Sequence, residues 1–121
     1  MNLFQLGNLK SHAGLDLEWK IECDALTDED WECLAKMISE RTQFGSVYGI
    51  TRGGTKLANA LQKYVTPKNP VRLVVDDVWT TGKSMMEVMQ PGDFGFVVFA
   101  RQRIIFDSNK YVRALFTMDM L

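Results

Sequence analysis

Short apolar runs alternate with segments of helix-forming residues over the larger part of this chain. The run at 71–75 is apolar without alternation, which is typical of a parallel strand covered on both faces. Shorter runs at 46–50 and 95–100 also predict strands, and helical segments follow at 54–64 and 82–89. This order predicts two consecutive β–α–β units, which are normally right-handed.

The segment before these units predicts one strand and one helix. Apolar and polar residues alternate from 16 to 23, as in a half-buried strand. Apolar residues between Trp31 and Ile38 are spaced for one helix face, and Thr27 is suited to be the N-cap. The acidic residues at 28–30 suit the positive end of that helix better than a metal site.

Composition and charge indicate one globular domain without a nucleic-acid partner. The chain has 121 residues, of which 46% are hydrophobic and 24% charged, and this balance argues against disorder. The formal net charge of −1 gives no support for binding nucleic acid through bulk electrostatics.

Cysteine use and the first residues indicate a cytoplasmic protein that does not contact a membrane. Cys23 and Cys33 are the only cysteines, and we expect both to be reduced thiols. His12 is the only histidine, so no cysteine–histidine metal pattern is present. The segment 1–5 begins neither a basic region nor an apolar run suited to secretion or membrane spanning.

The segment 71–84 carries the chemistry. Asp76 and Asp77 follow its apolar strand, and ligands of open α/β sheets collect outside the carboxyl ends of the strands. The turn after them offers hydroxyl groups, a flexible glycine and the first N–H groups of a helix, from residues Thr80, Thr81, Gly82, Lys83 and Ser84. Sugar-hydroxyl acceptors beside a phosphate cradle suit a ligand that has both a ribose and a phosphate.

Two other interpretations of this segment are weaker. The acid pair could be a plain strand-end turn with Thr80 as a helix N-cap, but the order of strand, acids and hydroxyl-glycine turn favours a site. The sequence Gly82-Lys83-Ser84 also suggests a nucleotide P-loop. That motif needs a glycine where this chain has Asp77, whose carboxylate would repel phosphates, so we reject it.

A second group of residues, Thr51-Arg52-Gly53-Gly54, follows the strand at 46–50. Two glycines after a cation can make a tight turn whose amides form an anion-binding nest, and Arg52 adds a charge that attracts pyrophosphate. Alone, this sequence is usually a plain loop. Both groups follow parallel strands, so we expect them at the same edge of the sheet.

Residues 74–84 resemble the phosphoribosyl pyrophosphate (PRPP) motif of type I phosphoribosyltransferases. The resemblance implies that Asp76 and Asp77 bond the ribose 2′- and 3′-hydroxyls and that the turn at 80–84 holds the 5′-phosphate. Purine-salvage members have an aspartate where this chain has Thr80, so the resemblance favours the orotate-type branch.

The resemblance extends to residues 49–54, which look like the pyrophosphate loop of that family. In this family the loop often holds a strained or cis peptide, and we therefore predict backbone strain near Thr51–Arg52. The implied fold is α/β, with a three-layer, Rossmann-like and mostly parallel sheet. The whole chain, 1–121, would form one domain, with residues 1–26 as a reduced hood over the base and 27–121 as the core.

The hood residues are predicted by the same resemblance. Orotate phosphoribosyltransferases have a Lys-Ser-Gly segment before an aromatic-bearing strand, which makes Lys10 a candidate. By position, Trp19 and Lys20 are either hood residues or ordinary strand residues. Family members also carry a long mobile loop that excludes water, whereas only 65–70 remains here, too short and proline-rich to close over a ligand.

The predicted reaction is transfer of the phosphoribosyl group from PRPP to a nitrogenous base such as orotate or another pyrimidine, with release of pyrophosphate. The resemblance implies Mg²⁺ held mainly by the substrate, with Asp76 and Asp77 as the candidate direct ligands, and a homodimer. The implied catalytic residues are these two acids and Arg52. The alternatives are a non-catalytic PRPP- or nucleotide-binding regulatory module, or a structural subunit whose apolar residues at 116–121 pack on a partner.

Overall fold

The computed structural model of the chain describes residues 4–10, 16–21, 23–101, 104 and 110–118, with the backbone alone described before residue 23. Within these residues, no helix is both long and apolar enough to cross a bilayer. The helices and strands, in chain order, are β1 (Phe4–Lys10), β2 (Asp16–Ile21), α1 (Asp28–Ser39), β3 (Ser46–Gly49), α2 (Thr51–Leu61), β4 (Arg72–Trp79), α3 (Lys83–Val88), β5 (Phe94–Ala100) and β6 (Tyr111–Thr117).

The central sheet has the order β3-β4-β5-β6, and every neighbouring pair of strands is parallel. The predicted α/β class and the three predicted strands are therefore confirmed. The second strand is longer than predicted, because β4 continues through the acid pair to Trp79 instead of ending at residue 75. The pairing of Asp76 with Val97 on β5 extends the ladder past the predicted end of the strand.

Helices cover both faces of this sheet and form the predicted three layers. α1 and α2 lie on one face, where Ile38 and Leu57 pack with Val75 and Phe96. Among the described residues, α3 covers the other face of the sheet. There Met85 packs with Val74 and Val97, whose side chains point to the face opposite Val75 and Phe96 because successive strand residues alternate between faces. Because β4 and β5 are buried on both faces, their apolar runs lack alternation.

Strand β6 was not predicted, and it places part of the apolar C-terminal segment in the sheet. Phe116 lies on β6 with its ring 5.7 Å from that of Phe99 on the neighbouring strand. Met118 packs against the core on the side of α1 and α2. Residues 119–121 lie outside the described residues. Phe116 is still 43% exposed, so the structural-subunit interpretation stays a prediction.

The N-terminal part forms a separate antiparallel pair of strands, β1 and β2. Strand β1 was not predicted. Strand β2 was predicted, but it ends at Ile21 and not at residue 23. Cys23 begins a short 3₁₀ helix, Cys23–Ala25, and is buried against the core. Cys23 and Cys33 are both free cysteines, and Cys33 lies exposed on α1.

The connection between α2 and β4 lies at the amino end of the sheet, opposite the predicted site. After a 3₁₀ turn at Gln62–Tyr64, only residues 65–71 precede β4. Hydrogen bonds hold the backbone of this connection in place. Thr66 N–H donates to the Phe44 carbonyl at 2.8 Å, and Val71 N–H donates to the Asn69 side chain at 2.9 Å. To cover the site, this connection would have to run along β4 to Asp77 and return, a path of roughly 34 Å. Its seven residues span only about 25 Å when fully extended, so it cannot reach the site.

The start of α1 gives a test of the local structure. Thr27 accepts a hydrogen bond from Asp30 N–H at 3.2 Å, and the Asp30 carboxylate accepts from Thr27 N–H at 2.9 Å. Thr27→Ala removes the hydroxyl of this capping box, so we expect a loss of about 1 kcal/mol in the free energy of unfolding. Urea denaturation measures it. Thr27→Ser, which keeps the hydroxyl, should stay near the wild type, and an equal loss in both variants would contradict the capping role.

Candidate functional site

The acid pair occupies the second half of β4, and its two carboxylates differ in burial. Asp76 is only 5% exposed, whereas Asp77 is half-buried. Asp77 N–H donates to Asp76 Oδ1 at 2.8 Å, and Val78 N–H donates to Asp77 Oδ1 at 2.9 Å. The backbone of the strand therefore holds both carboxylates, and Asp77 is the one that can be reached from solvent.

Thr51 links the acid pair to the second predicted group of residues. Its hydroxyl donates to Asp76 Oδ1 at 2.8 Å, although the two residues are 25 positions apart. Its backbone has φ 61°, the left-handed region that a β-branched residue rarely adopts. Within the described residues all peptide bonds are trans. The predicted strain near Thr51–Arg52 is therefore confirmed in φ.

The predicted pyrophosphate loop is the first turn of α2, and this corrects the expected start of the helix at residue 54. The turn packs directly on β4. A Cβ at Gly53 would lie 2.2 Å from Asp77 Oδ2, and one at Gly54 would lie 2.7 Å from the Val75 carbonyl oxygen. Neither position has room for a side chain. The two glycines therefore allow α2 to approach the acid pair closely. The prediction of an anion-binding nest did not include this role.

The Arg52 side chain pairs with Asp24, which lies on the short 3₁₀ helix Cys23–Ala25. This arginine side chain is 75% exposed, and its Nη2 lies 3.4 Å from Asp24 Oδ1. Lys56, one turn later on α2, has its Nζ 3.9 Å from the same oxygen. Exposed ion pairs of this kind contribute little to stability, so these cations can exchange partners with a ligand anion at small cost. Asp24 was not predicted, because nothing in its sequence context distinguishes it from other surface acids.

The turn after β4 is tight and mostly exposed. Gly82 has φ 82°, and Lys83 N–H donates to Thr81 Oγ1 at 3.4 Å. Thr81, Lys83 and Ser84 are exposed, and Thr80 is half-buried. A Cβ at Gly82 would lie 2.2 Å from the ring of Trp79, which is buried beneath the turn. Trp79 supports the turn from below, a role that sequence analysis missed.

Burial changes the protonation of the acid pair. Burial, a hydrogen bond with Asp77 and the charge of Asp77 raise the pKa of Asp76 to about 8, against smaller opposing effects of the Thr51 hydroxyl and the Asp77 N–H. At pH 7 the Asp76 carboxyl therefore keeps its proton. The oxygens of the pair can accept hydrogen bonds from a diol.

The hood candidates lie on the N-terminal pair of strands. Lys10 ends β1 and pairs with Asp16, while Trp19 and Lys20 lie on β2, where Trp19 pairs with Leu6. The structure describes only their backbone, so the roles of these three side chains in binding a base stay predictions.

No protein-family model matches this chain, and no curated protein matches it. Among solved structures, the orotate phosphoribosyltransferase from Aeropyrum pernix is similar, with a TM-score of 0.76 and 16% identity over 98% of this chain and 89% of that chain. The UMP synthase of Leishmania donovani gives 0.72 and 13% over 98% of this chain but 34% of that chain. The Mycobacterium tuberculosis orotate phosphoribosyltransferase gives 0.67 and 15%, covering 95% and 89%. These likenesses show that the chain shares the fold of these orotate phosphoribosyltransferases.

The protonation of Asp76 predicts an unusual dependence of stability on pH. A carboxyl with a pKa of 3.8 when unfolded and about 8 when folded holds its proton only in the folded chain between these values. The free energy of unfolding should therefore fall as pH rises through this window. Urea denaturation at about pH 5 and about pH 8 measures the effect.

Asp76→Asn should remove most of this pH dependence, because the amide does not titrate. Glu87→Gln, which removes an exposed carboxylate from α3, should keep the wild-type profile. A wild-type profile that is flat, or that survives unchanged in Asp76→Asn, would contradict the assigned protonation.

Proposed function

We propose that this chain binds PRPP with Mg²⁺ and transfers its phosphoribosyl group to a nitrogenous base, orotate or another pyrimidine, with release of pyrophosphate. One observation carries the proposal: the first turn of α2 packs directly against the acid pair of β4, with Gly53 against Asp77. Groups suited to a diphosphate, a sugar diol and a phosphate thus lie at one edge of the sheet. The fold shared with orotate phosphoribosyltransferases supports the same reaction class.

Each group has a role that follows from its chemistry. The half-buried Asp77 carboxylate would accept from the ribose hydroxyls, with Asp76 beside it completing the site for the diol. The hydroxyls and amides of the turn at 80–84 would bind the 5′-phosphate. Arg52 would exchange Asp24 for the pyrophosphate, which Thr51 and the amides of Gly53 and Gly54 would also contact.

In the proposed transfer, the bond from C1′ of the ribose to a pyrophosphate oxygen breaks and a bond to the base nitrogen forms. No nucleophile of the protein is required. Holding the two reactants in line contributes several kcal/mol in well-oriented systems. Charged and dipolar groups aimed at the leaving group add a comparable amount, and Arg52 can supply such a charge. Asp77 would stabilise the positive charge that grows on the ribose.

We expect Mg²⁺ to enter this site together with the substrate. Within the part of the chain that the structure describes, no group of three or more acidic, histidine or cysteine side chains could hold a metal. Mg²⁺ prefers oxygen ligands and usually keeps several waters, so substrate phosphates would provide most of its ligands. Asp76 and Asp77 would be its candidate direct ligands, and bound Mg²⁺ would neutralise charge on the pyrophosphate.

Closure of the site would have to come from elsewhere than the connection at 65–71. That connection lies at the amino end of the sheet, and Lys68 within it is exposed. The N-terminal strands or a second subunit could cover the ligands instead, and we propose a homodimer acting in the cytoplasm. If neither excludes water, the chain would bind PRPP and regulate without turnover, and the short connection favours this second candidate function.

An assay of pyrophosphate release divides the enzyme from the regulatory module. Purified chain with PRPP and Mg²⁺ is tested against a panel of bases that includes orotate and uracil. An enzyme releases pyrophosphate only when an acceptor base from the panel is present. A regulatory module binds PRPP but releases no pyrophosphate with any base. Absence of PRPP binding would contradict both functions.

Removal of the accessible carboxylate tests the site itself. Asp77→Asn removes a charged acceptor from the proposed ribose site, so we expect affinity for PRPP with Mg²⁺ to fall at least roughly tenfold. Asp76→Asn combined with Asp77→Asn should abolish binding. Isothermal titration calorimetry measures both. Glu87→Gln is the matched control and should bind as the wild type does, while unchanged affinity in the double variant would contradict the assigned site.

A further inference from the structure

Thr51 has a backbone conformation and a set of contacts that its proposed contact with pyrophosphate does not explain. A threonine with φ 61° is strained, and glycine or asparagine would adopt this conformation more easily. A residue that served only to turn the chain would not need to be threonine. The strained position therefore points to a use for the hydroxyl.

The hydroxyl of Thr51 is placed between the two halves of the site. It donates to Asp76 Oδ1 at 2.8 Å and lies 3.4 Å from Gly54 N–H, which donates to it. The carbonyl of Thr51 accepts from Thr55 Oγ1 at 2.7 Å, so the residue is held by α2 as well. One side chain thus joins the first turn of α2 to the buried acid of β4.

We propose that Thr51 is a positioning residue whose hydroxyl orients the Asp76 carboxyl and so ties the pyrophosphate turn to the ribose site. The proposal rests on the proposed function, since it concerns the same ligand. With Oδ1 of Asp76 held by Thr51 and by Asp77 N–H, the rotation of the buried carboxyl is fixed. The N–H that donates to this oxygen belongs to Asp77, so the same contact fixes the backbone from which the Asp77 carboxylate meets the ligand.

Ribose 5-phosphate is the probe that isolates this role. It carries the diol and the 5′-phosphate but no pyrophosphate, so it does not reach the pyrophosphate turn. A loss of its affinity on substitution of Thr51 must therefore act through Asp76. If Thr51 only contacted pyrophosphate, the affinity for ribose 5-phosphate would not change.

Three substitutions separate the hydroxyl from the strain. Thr51→Val keeps the branched shape and the strain but removes the hydroxyl, so ribose 5-phosphate should bind roughly tenfold more weakly. Thr51→Ser keeps the hydroxyl and should bind within about twofold of the wild type. Thr51→Gly relieves the strain without restoring the hydroxyl, so it should bind as weakly as Thr51→Val while keeping a melting temperature close to that of the wild type.

Calorimetry measures affinity, and thermal unfolding measures stability. Thr66→Val, the same change at the amino end of the sheet, is the control and should leave ribose 5-phosphate affinity unchanged. A wild type that binds the probe and a Thr51→Val variant that binds it equally well would overturn the role of Thr51 alone, as would affinity that follows melting temperature across the series. A wild type that binds neither ribose 5-phosphate nor PRPP would overturn the proposed function instead.

Discussion

The direct packing of the first turn of α2 on strand β4 is the constraint on which the site depends. Gly53 and Gly54 leave no side chain between helix and strand, so the helix backbone lies against the acid pair. On the other side of that turn, a Cβ at Gly49 would lie 2.2 Å from the Gly54 carbonyl oxygen. With larger residues at these positions the turn would move away from β4, and the contact between Thr51 and Asp76 would be lost.

This packing buries a carboxyl group, and the surroundings of Asp76 reduce the cost of that burial. A buried, unpaired carboxylate is strongly unfavourable, and such groups usually become neutral or gain hydrogen bonds. Asp76 does both, since it holds a proton at neutral pH and accepts from Thr51 and from Asp77 N–H. The strain at Thr51 is a further cost at the same place. Local features that reduce stability often mark functional sites, which agrees with the proposed role of this edge of the sheet.

The sequence predicted those parts of the structure in which local pattern and tertiary packing agree. The strands β4 and β5 were found because apolar runs without alternation occur where both faces are buried. The start of α2 was misplaced because glycine disfavours helix, so Gly53 and Gly54 indicated a loop. The contact of Thr51 with Asp76 could not be predicted, since it joins residues far apart in the chain. Strand β6 was missed because its exposed residues, such as Tyr111 and Phe116, obscure the pattern of a buried parallel strand.

The central claim is that a ribose phosphate lies across the carboxyl end of β4, between the turn at 80–84 and the first turn of α2. A crystal structure of the chain with PRPP and Mg²⁺ tests it most directly. Our account predicts the ribose hydroxyls within hydrogen-bonding distance of Asp77, the 5′-phosphate on the turn at 80–84 and the pyrophosphate beside Arg52. PRPP bound at another place, or an Asp77 carboxylate that makes no contact with the sugar, would contradict it.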